Sequence, residues 1–142
     1  MKDEAGAAAE ASSFNLHTSS FPVQGEIEPT LLSTDDKWIL LKLDQAIREV
    51  STALAEYKFS EATAALYRFF WSEYCDWYVE ASKAVFFGTD EARKGNTLAV
   101  IDFVLSHTIR LFHPFLPFIT EELWHGMVTR RICRTSRVAR PS

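Results

Sequence analysis

The chain has 142 residues, with 47% hydrophobic and 13% aromatic residues. Those values fit one folded domain and exclude an intrinsically disordered chain. A chain of this length buries roughly two-thirds of its unfolded surface, so it can hold a hydrophobic core. The formal net charge is −4, which excludes a protein that is basic throughout. Any contact with nucleic acid must therefore come from a local patch.

Compartment and membrane association follow from the cysteines and the apolar runs. The two cysteines, Cys75 and Cys133, are too few and too far apart for a disulfide framework or a zinc site. Cys75 lies in an apolar run and is expected to be a small buried hydrophobe. No run of about 18 apolar residues predicts a membrane span. The N-terminus lacks the basic start and apolar block of a signal peptide. We expect a cytoplasmic protein with reduced thiols.

Residues 1–33 are rich in Ala, Ser, Glu and Pro, and this composition predicts a linker or poorly ordered lead-in. The run from Ser33 to Asp36 then offers a helix cap and two acids for a helix N-terminus. Apolar residues recur at helical spacing after it, at Ile39, Leu43, Ile47, Val50, Leu54 and Tyr57. This pattern predicts a first amphipathic helix.

A second helix is predicted over about residues 61–86, with Ser60 as its cap and Gly88 as its stop. Its apolar stripe consists of Leu66, Phe69, Phe70, Tyr74, Trp77, Ala81 and Val85, and is widened by Tyr67, Trp71 and Tyr78. A helix that is apolar over most of its circumference packs on two sides. We therefore expect it to lie centrally in a bundle.

Residues 88–96 predict a polar turn, after which Asn96 can cap a third helix over about residues 97–112. The run His113–Phe118 contains two prolines, which resist continuation of that helix.

Thr120 is the candidate cap of a fourth helix, with Leu123 and Trp124 facing inward. Beyond Gly126 the character changes, because residues 127–142 hold five arginines and no acid. The predicted organisation is a lead-in (1–33), a helical domain (34–126) and a basic tail of uncertain order (127–142). No strand signal occurs, so the fold class is an all-α up-and-down helical bundle.

Catalytic and metal-binding patterns are missing from the sequence, and we predict no catalytic residue and no metal site. There is no glycine-rich phosphate loop. His107 and His113 fit hydrogen-bonded structural histidines better than catalytic ones. Glu73, Asp76 and Glu80 share a helical face, but without a Glu-x-x-His partner they fit a solvated face with ion pairs to Lys83.

Three segments together resemble the C-terminal part of valyl-tRNA synthetases, a family of class I aminoacyl-tRNA synthetases. They are Asp36–Leu43 (DKWILLKL), Phe70–Tyr78 (FWSEYCDWY) with the following Glu80–Lys83, and Leu111–Trp124 (LFHPFLPFITEELW). The third segment is shared loosely with isoleucyl and leucyl relatives, whereas the second points to the valyl enzyme. Their order and spacing also match. The resemblance implies a helical bundle of the anticodon-binding type.

The resemblance also implies function. In the family this bundle holds the anticodon stem-loop of tRNA, while a separate domain charges the tRNA using ATP. That domain's His-Ile-Gly-His and Lys-Met-Ser-Lys-Ser signatures are absent here. We therefore expect a fragment, natural or engineered, that binds no cofactor and does not aminoacylate alone. The expected partners are tRNA and the missing catalytic part of the synthetase, with the chain itself a monomer and no membrane contact.

RNA-contacting residues are predicted from chemistry, since cations hold phosphates and aromatic rings stack on unpaired bases. The candidates are Lys83, Arg68, Arg93, Lys94, Phe86 and Phe87, with Lys83 foremost because it lies in the family-like segment. The alternatives are solvated surface charges and core phenylalanines. Residues 35–125 hold fourteen acids and nine Lys or Arg, a net charge of −5. Binding should therefore be weak and salt-dependent, with any tail contribution non-specific.

Two other functions are compatible with the sequence. A bundle derived from a synthetase could serve protein interaction or regulation without specific tRNA binding, and it would show equal affinity for any RNA. A small enzyme built in a helical bundle would require a bound metal or cofactor.

Overall fold

A computed structural model describes the backbone of residues 27–138 and the side chains of residues 27–129. The elements are a 3-10 turn at Pro29–Leu31, α1 at Thr34–Ala55, α2 at Phe59–Arg68, a π-helix at Phe69–Tyr78, α3 at Val79–Phe86, α4 at Glu91–Phe112 and α5 at Pro117–Val138. Helix α2, the π-helix and α3 follow each other without a break, and we call this unit the helical rod (59–86). Residues 27–138 contain no strand, and consecutive helices pack on each other. The predicted all-α bundle is confirmed.

Helix α1 begins at the predicted place because Ser33 and Asp36 cap it reciprocally. The Asp36 amide donates to Ser33 Oγ at 3.1 Å, and the Ser33 amide donates to Asp36 Oδ2 at 2.9 Å. This capping box satisfies two backbone donors that the first helical turn would otherwise leave free. The short segment before it lies against the bundle, since Ile27 and Leu32 pack on the core.

The core lies between α1, the helical rod and α4. Its main cluster consists of Ile39, Leu43, Ala46, Phe69, Tyr74, Tyr78, Val100 and Val104. A second cluster joins the end of α1 to the start of the rod, and consists of Val50, Ala53, Ala62 and Leu66. Helix α5 packs mainly on α4.

The π-helix changes which residues of the rod face the core. Phe69 and Tyr74 are both buried although they lie five residues apart, and Tyr78 follows four residues later. An α-helical stripe through Tyr74 would instead bury Trp77, as the sequence pattern predicted. Trp77 is 71% exposed, so its placement in the core was wrong. The rod does contact two neighbouring helices, α1 and α4.

The start of the rod differs from the predicted cap. Helix α2 begins at Phe59, with Lys58 at the N-cap and no side-chain cap bond. Tyr57 has a φ of 60° and closes α1, because the Lys58 amide donates to the Ala53 carbonyl at 2.8 Å. The helical path resumes at once, so Ser60 lies inside the first turn rather than capping it.

Helix α4 begins six residues earlier than the apolar pattern indicated. Asp90 is its N-cap, and its Oδ1 accepts from the Arg93 amide at 3.2 Å. The first turn of α4 is polar, so apolar periodicity could not reveal it. Asn96 is not a cap but a buried residue of α4. Its Oδ1 accepts from the Glu28 amide at 2.8 Å and its Nδ2 donates to the Glu28 carbonyl at 3.4 Å.

Helix α5 begins at Pro117, whose missing amide proton costs nothing at the first helical position. The predicted cap Thr120 lies instead in the first turn, where its hydroxyl donates to the Leu116 carbonyl at 2.8 Å. Nδ1 of His113 lies 2.9 Å from Oγ1 of Thr120. Leu123 is exposed, contrary to expectation, and Trp124 is half-buried.

The helical backbone of α5 continues through the predicted domain boundary at residue 126 as far as Val138. Residues 1–26 of the predicted lead-in lie outside the described part of the chain. The proposed division into lead-in, domain and tail therefore stays a prediction.

Candidate nucleic-acid interface

Five of the six predicted RNA-contacting residues lie at one corner of the bundle. Lys83, Phe86 and Phe87 occupy the end of α3, and Arg93 and Lys94 lie in the first turns of α4. The corner is built by the short turn after Phe87, in which the Gly88 amide donates to the Val85 carbonyl at 3.1 Å. We call this group the α3–α4 corner.

The cations of the α3–α4 corner are mostly paired with acids. Lys83 Nζ contacts Glu80 at 2.5 Å and Lys94 Nζ contacts Glu91 at 2.7 Å, each three residues apart on one helix. The Lys83–Glu80 pair is exposed and contributes little stability, so Lys83 can exchange its carboxylate for a phosphate, whereas the Lys94 side chain is half-buried. The Arg93 guanidinium forms no ion pair with any residue between 27 and 129.

The two phenylalanines of the corner differ in exposure. Phe86 is half-buried, whereas Phe87 is 87% exposed at the C-cap of α3. Phe87 is therefore not a core residue, and its ring is accessible to a stacking partner. The sequence alone could not separate the two, since they are adjacent at a helix end.

Arg68 does not belong to the α3–α4 corner. It lies at the end of α2, fifteen residues before Lys83 along the rod, which corresponds to roughly 22 Å. Its Nη2 contacts Glu49 Oε2 of α1 at 2.7 Å. Beside it, Lys42 contacts Glu73 at 3.2 Å. These alternating charges line a shallow polar groove between α1 and the rod.

Glu73, Asp76 and Glu80, which would share one face of an α-helix, do not all lie on one face in the structure. Glu73 turns toward α1 and Lys42, while Glu80 pairs with Lys83 as expected. Residues 27–129 contain no cluster of His, Cys, Asp and Glu suited to a metal ion.

Burial shifts the pKa of four titratable groups among the described residues. The ring of His107 contacts the Phe103 carbonyl through Nδ1 at 2.9 Å, and burial lowers the pKa of this histidine. Burial raises the pKa of Tyr74 and of Tyr78, and the Asp36 carboxylate raises that of Tyr78 further. Burial also raises the pKa of Cys75, which is half-buried. His107 is thus structural, as predicted.

Sequence reasoning missed an aromatic surface on the rod. Tyr67 and Trp71 were assigned to the core, yet they are 60% and 53% exposed. Their rings stack at a centroid distance of 6.0 Å and an interplanar angle of 4°. The one sequence signal for them was the excess of aromatic residues in Phe69–Tyr78, more than one buried stripe can hold.

An apolar groove runs between the rod, α4 and α5. It has a volume of about 280 Å³, and its lining includes Phe70, Leu105, Phe112, Leu116, Ile119 and Leu123. No helix among the described residues is both long enough and apolar enough to cross a membrane.

Comparison with known proteins identifies the bundle. Residues 36–139 match the family model of the anticodon-binding domain of tRNA ligase. A valine–tRNA ligase of Rhizobium meliloti (strain 1021) is 48% identical over 101 residues, which cover 71% of this chain. Valine–tRNA ligases of Staphylococcus carnosus (strain TM300) and Bacillus anthracis are 47% and 46% identical over 68% and 67% of it.

In each of these relatives the matched segment spans 11% of the protein's length. The matched family model extends past residue 126, and so includes all of α5. With a family model matched over most of its length, this chain belongs to the family of anticodon-binding domains of tRNA ligases.

Proposed function

We propose that this chain binds the anticodon stem-loop of a tRNA, and of valine tRNA in particular, as part of a valine–tRNA ligase. The observation that carries the proposal is the match of residues 36–139 to the anticodon-binding family. The identity of 46–48% to valine–tRNA ligases supports valine as the amino acid of the parent enzyme.

The α3–α4 corner supplies the chemistry that such binding requires. Lys83, Arg93 and Lys94 can hold phosphates, and the exposed ring of Phe87 can stack on an unpaired base. Lys83 loses little when it leaves Glu80, because both side chains of that ion pair are exposed.

The charge balance of the domain limits its affinity. With a net charge of −5 over residues 35–125, long-range attraction to RNA is absent, and binding depends on a few local contacts. We therefore propose weak binding that falls steeply with salt. The five tail arginines would add affinity for any RNA without reading the anticodon.

Aminoacylation itself is assigned to the parts of the parent enzyme that this chain does not match. The chain carries neither nucleotide-binding signature of class I synthetases. We propose that it needs no cofactor of its own, that ATP is used by the catalytic part, and that the chain neither charges tRNA nor self-associates. We expect it to act in the cytoplasm, beside tRNA and that catalytic part.

The second candidate is an interaction bundle that no longer selects a tRNA. The pairing of Lys83, Lys94 and Arg68 with neighbouring acids supports it, since each pair lowers the attraction for phosphate. This candidate predicts the same affinity for every tRNA.

The deciding experiment compares valine tRNA with a tRNA for another amino acid at two salt concentrations. Cutting the chain at residue 126 would shorten α5 and remove Met127 from the apolar groove. The control is therefore the full chain with its five tail arginines replaced by glutamine. A preference for the valine anticodon that persists in this variant supports anticodon binding. Equal affinity for both tRNAs, or a preference lost with the arginines, refutes it.

A further inference from the structure

Tyr67 and Trp71 form a flat aromatic surface on the outside of the rod. Their rings are parallel within 4° and their centroids lie 6.0 Å apart. Both side chains are more than half exposed. The nearest aromatic neighbour is Phe70, whose ring meets the edge of Trp71 at a centroid distance of 6.4 Å. We call this surface the Tyr67–Trp71 pair.

The Tyr67–Trp71 pair lies on the solvent-facing side of the rod. Exposed positions recur along the rod with a single five-residue step inside the π-helix, at Ala64, Tyr67, Trp71, Asp76, Glu80, Lys83 and Phe87. They form one solvent-facing stripe opposite the buried Phe69, Tyr74 and Tyr78. π-helical turns are rare and often occur at functional sites. Here the five-residue step follows Trp71, and it keeps Asp76, Glu80 and Lys83 on the same exposed side of the rod as the two rings.

The chemistry of the pair suits an unpaired nucleobase. Every base has a flat π-face, so stacking on aromatic side chains is strong and tolerant of sequence. Arg68 lies between the two rings in the sequence, and among residues 27–129 its ion pair is the exposed contact with Glu49 at 2.7 Å. A guanidinium so weakly held can turn to a phosphate next to a stacked base.

The pair is also placed to act together with the α3–α4 corner. Lys83 lies on the same stripe twelve residues beyond Trp71, which is roughly 18 Å along the rod. Asp76 and Glu80 lie between them and disfavour phosphate contacts in the middle. RNA on this stripe would be held at its two ends, by stacked bases at one and by cations at the other.

We propose that the Tyr67–Trp71 pair is a stacking platform for unpaired bases of the bound RNA. The proposal rests on the proposed tRNA binding, which it deepens by naming where loop bases are held. The platform recognises the flat face of a base, so it should accept single-stranded RNA of any sequence and reject a duplex, whose bases are already stacked.

The test uses a single-stranded oligoribonucleotide containing 2-aminopurine, the same strand in a duplex, and a valine anticodon stem-loop with 2-aminopurine in its loop. The variants are Trp71→Leu, Trp71→Phe and, as matched control, Trp77→Leu. Trp77 is also exposed, at 71% against 53% for Trp71, but it lies outside the pair. Both positions tested are exposed, so circular dichroism should show unchanged folding.

We expect the wild-type chain to change the 2-aminopurine fluorescence of the single strand and the loop, but not of the duplex. Trp71→Leu should weaken single-strand binding by about fivefold to a hundredfold, as for loss of one stacked base. Trp71→Phe should retain most of it, and Trp77→Leu all of it. Equal losses for Trp71→Leu and Trp77→Leu, or no response to the single strand, overturn the platform.

The outcomes separate this proposal from the proposed function. If Trp71→Leu keeps both full affinity and the preference for the valine anticodon, the proposed stacking platform is refuted and the proposed anticodon binding is supported. If single-strand binding depends on Trp71 but no tRNA is preferred, the platform stands and anticodon selection falls.

Discussion

The hydroxyl of Tyr78 donates a buried hydrogen bond of 2.7 Å to Asp36 Oδ1, across 42 residues of sequence. The other oxygen of the same carboxylate accepts from the Ser33 amide. Asp36 therefore joins the N-terminus of α1 to the end of the π-helix. Because the register of the rod at Tyr78 depends on the five-residue step from Phe69 to Tyr74, this bond also stabilises the π-helical arrangement.

Replacing Tyr78 by phenylalanine removes the hydroxyl and leaves one oxygen of a buried carboxylate without its partner. An unsatisfied buried polar group costs about 1–3 kcal/mol, so we expect Tyr78→Phe to lower the free energy of unfolding by about that amount. Urea unfolding at neutral pH measures it. Tyr57→Phe is the control, because Tyr57 is exposed. Equal unfolding midpoints for the two variants would refute the role of the bond.

Stability should fall at alkaline pH because two buried phenols hold their protons. Burial raises the pKa of Tyr74 and Tyr78 above the usual value near 10. Above about pH 10 the unfolded chain loses phenolic protons that the folded chain keeps, so the free energy of unfolding decreases as pH rises. Each tyrosine contributes a slope of about 1.4 kcal/mol per pH unit in that range.

Tyr74→Phe isolates one of the two contributions. The variant should match the wild type near pH 8 more closely than Tyr78→Phe does, since it leaves the buried bond between Tyr78 and Asp36 in place. Between pH 10 and 11.5 its stability should decline less steeply than that of the wild type. Parallel curves, measured by urea unfolding across this range, would contradict the prediction.

The sequence predicted the bundle because helical periodicity is local and strong in α1 and α4. It mispredicted the rod because an α-helical period was applied to a segment that contains a π-helix. One extra residue per turn moved Trp77 out of the core and Tyr78 into it. The long-range contacts that stabilise this turn, such as Asp36–Tyr78, have no local signal.

The candidate site was predicted in part for the same reason. One corner of the bundle contains Lys83, Phe87 and Arg93, because these residues flank a turn that Gly88 predicted. Arg68 was grouped with them by chemistry alone, and lies far along the rod. The exposure of the Tyr67–Trp71 pair could not be predicted from the sequence, since aromatic residues at helical spacing usually indicate a core.

Asn96 should hold the segment before α1 against the bundle. Its side chain is buried and bonds both the amide and the carbonyl of Glu28. Asn96→Ala removes both bonds, so we expect faster hydrogen exchange at the Glu28 amide and a loss of about 1–2 kcal/mol in unfolding free energy. Thr89→Ala, in the exposed turn before α4, serves as control. Unchanged exchange at Glu28 in Asn96→Ala would show that other contacts hold the segment.

Substitutions at Lys83 and Glu80 should change the affinity for tRNA in opposite directions. Lys83→Ala removes a phosphate contact, so affinity for every tRNA should fall severalfold and the salt dependence should lose about one unit of slope. Glu80→Gln removes the carboxylate that contacts Lys83 at 2.5 Å, so affinity should rise severalfold.

Lys58→Ala is the matched control, because Lys58 is similarly exposed, also paired with acids, and lies at the other end of the rod. Filter binding at two salt concentrations measures all three variants. If Lys83→Ala and Lys58→Ala reduce binding equally, the contribution of Lys83 is only that of a general surface charge, and the α3–α4 corner is not the phosphate site.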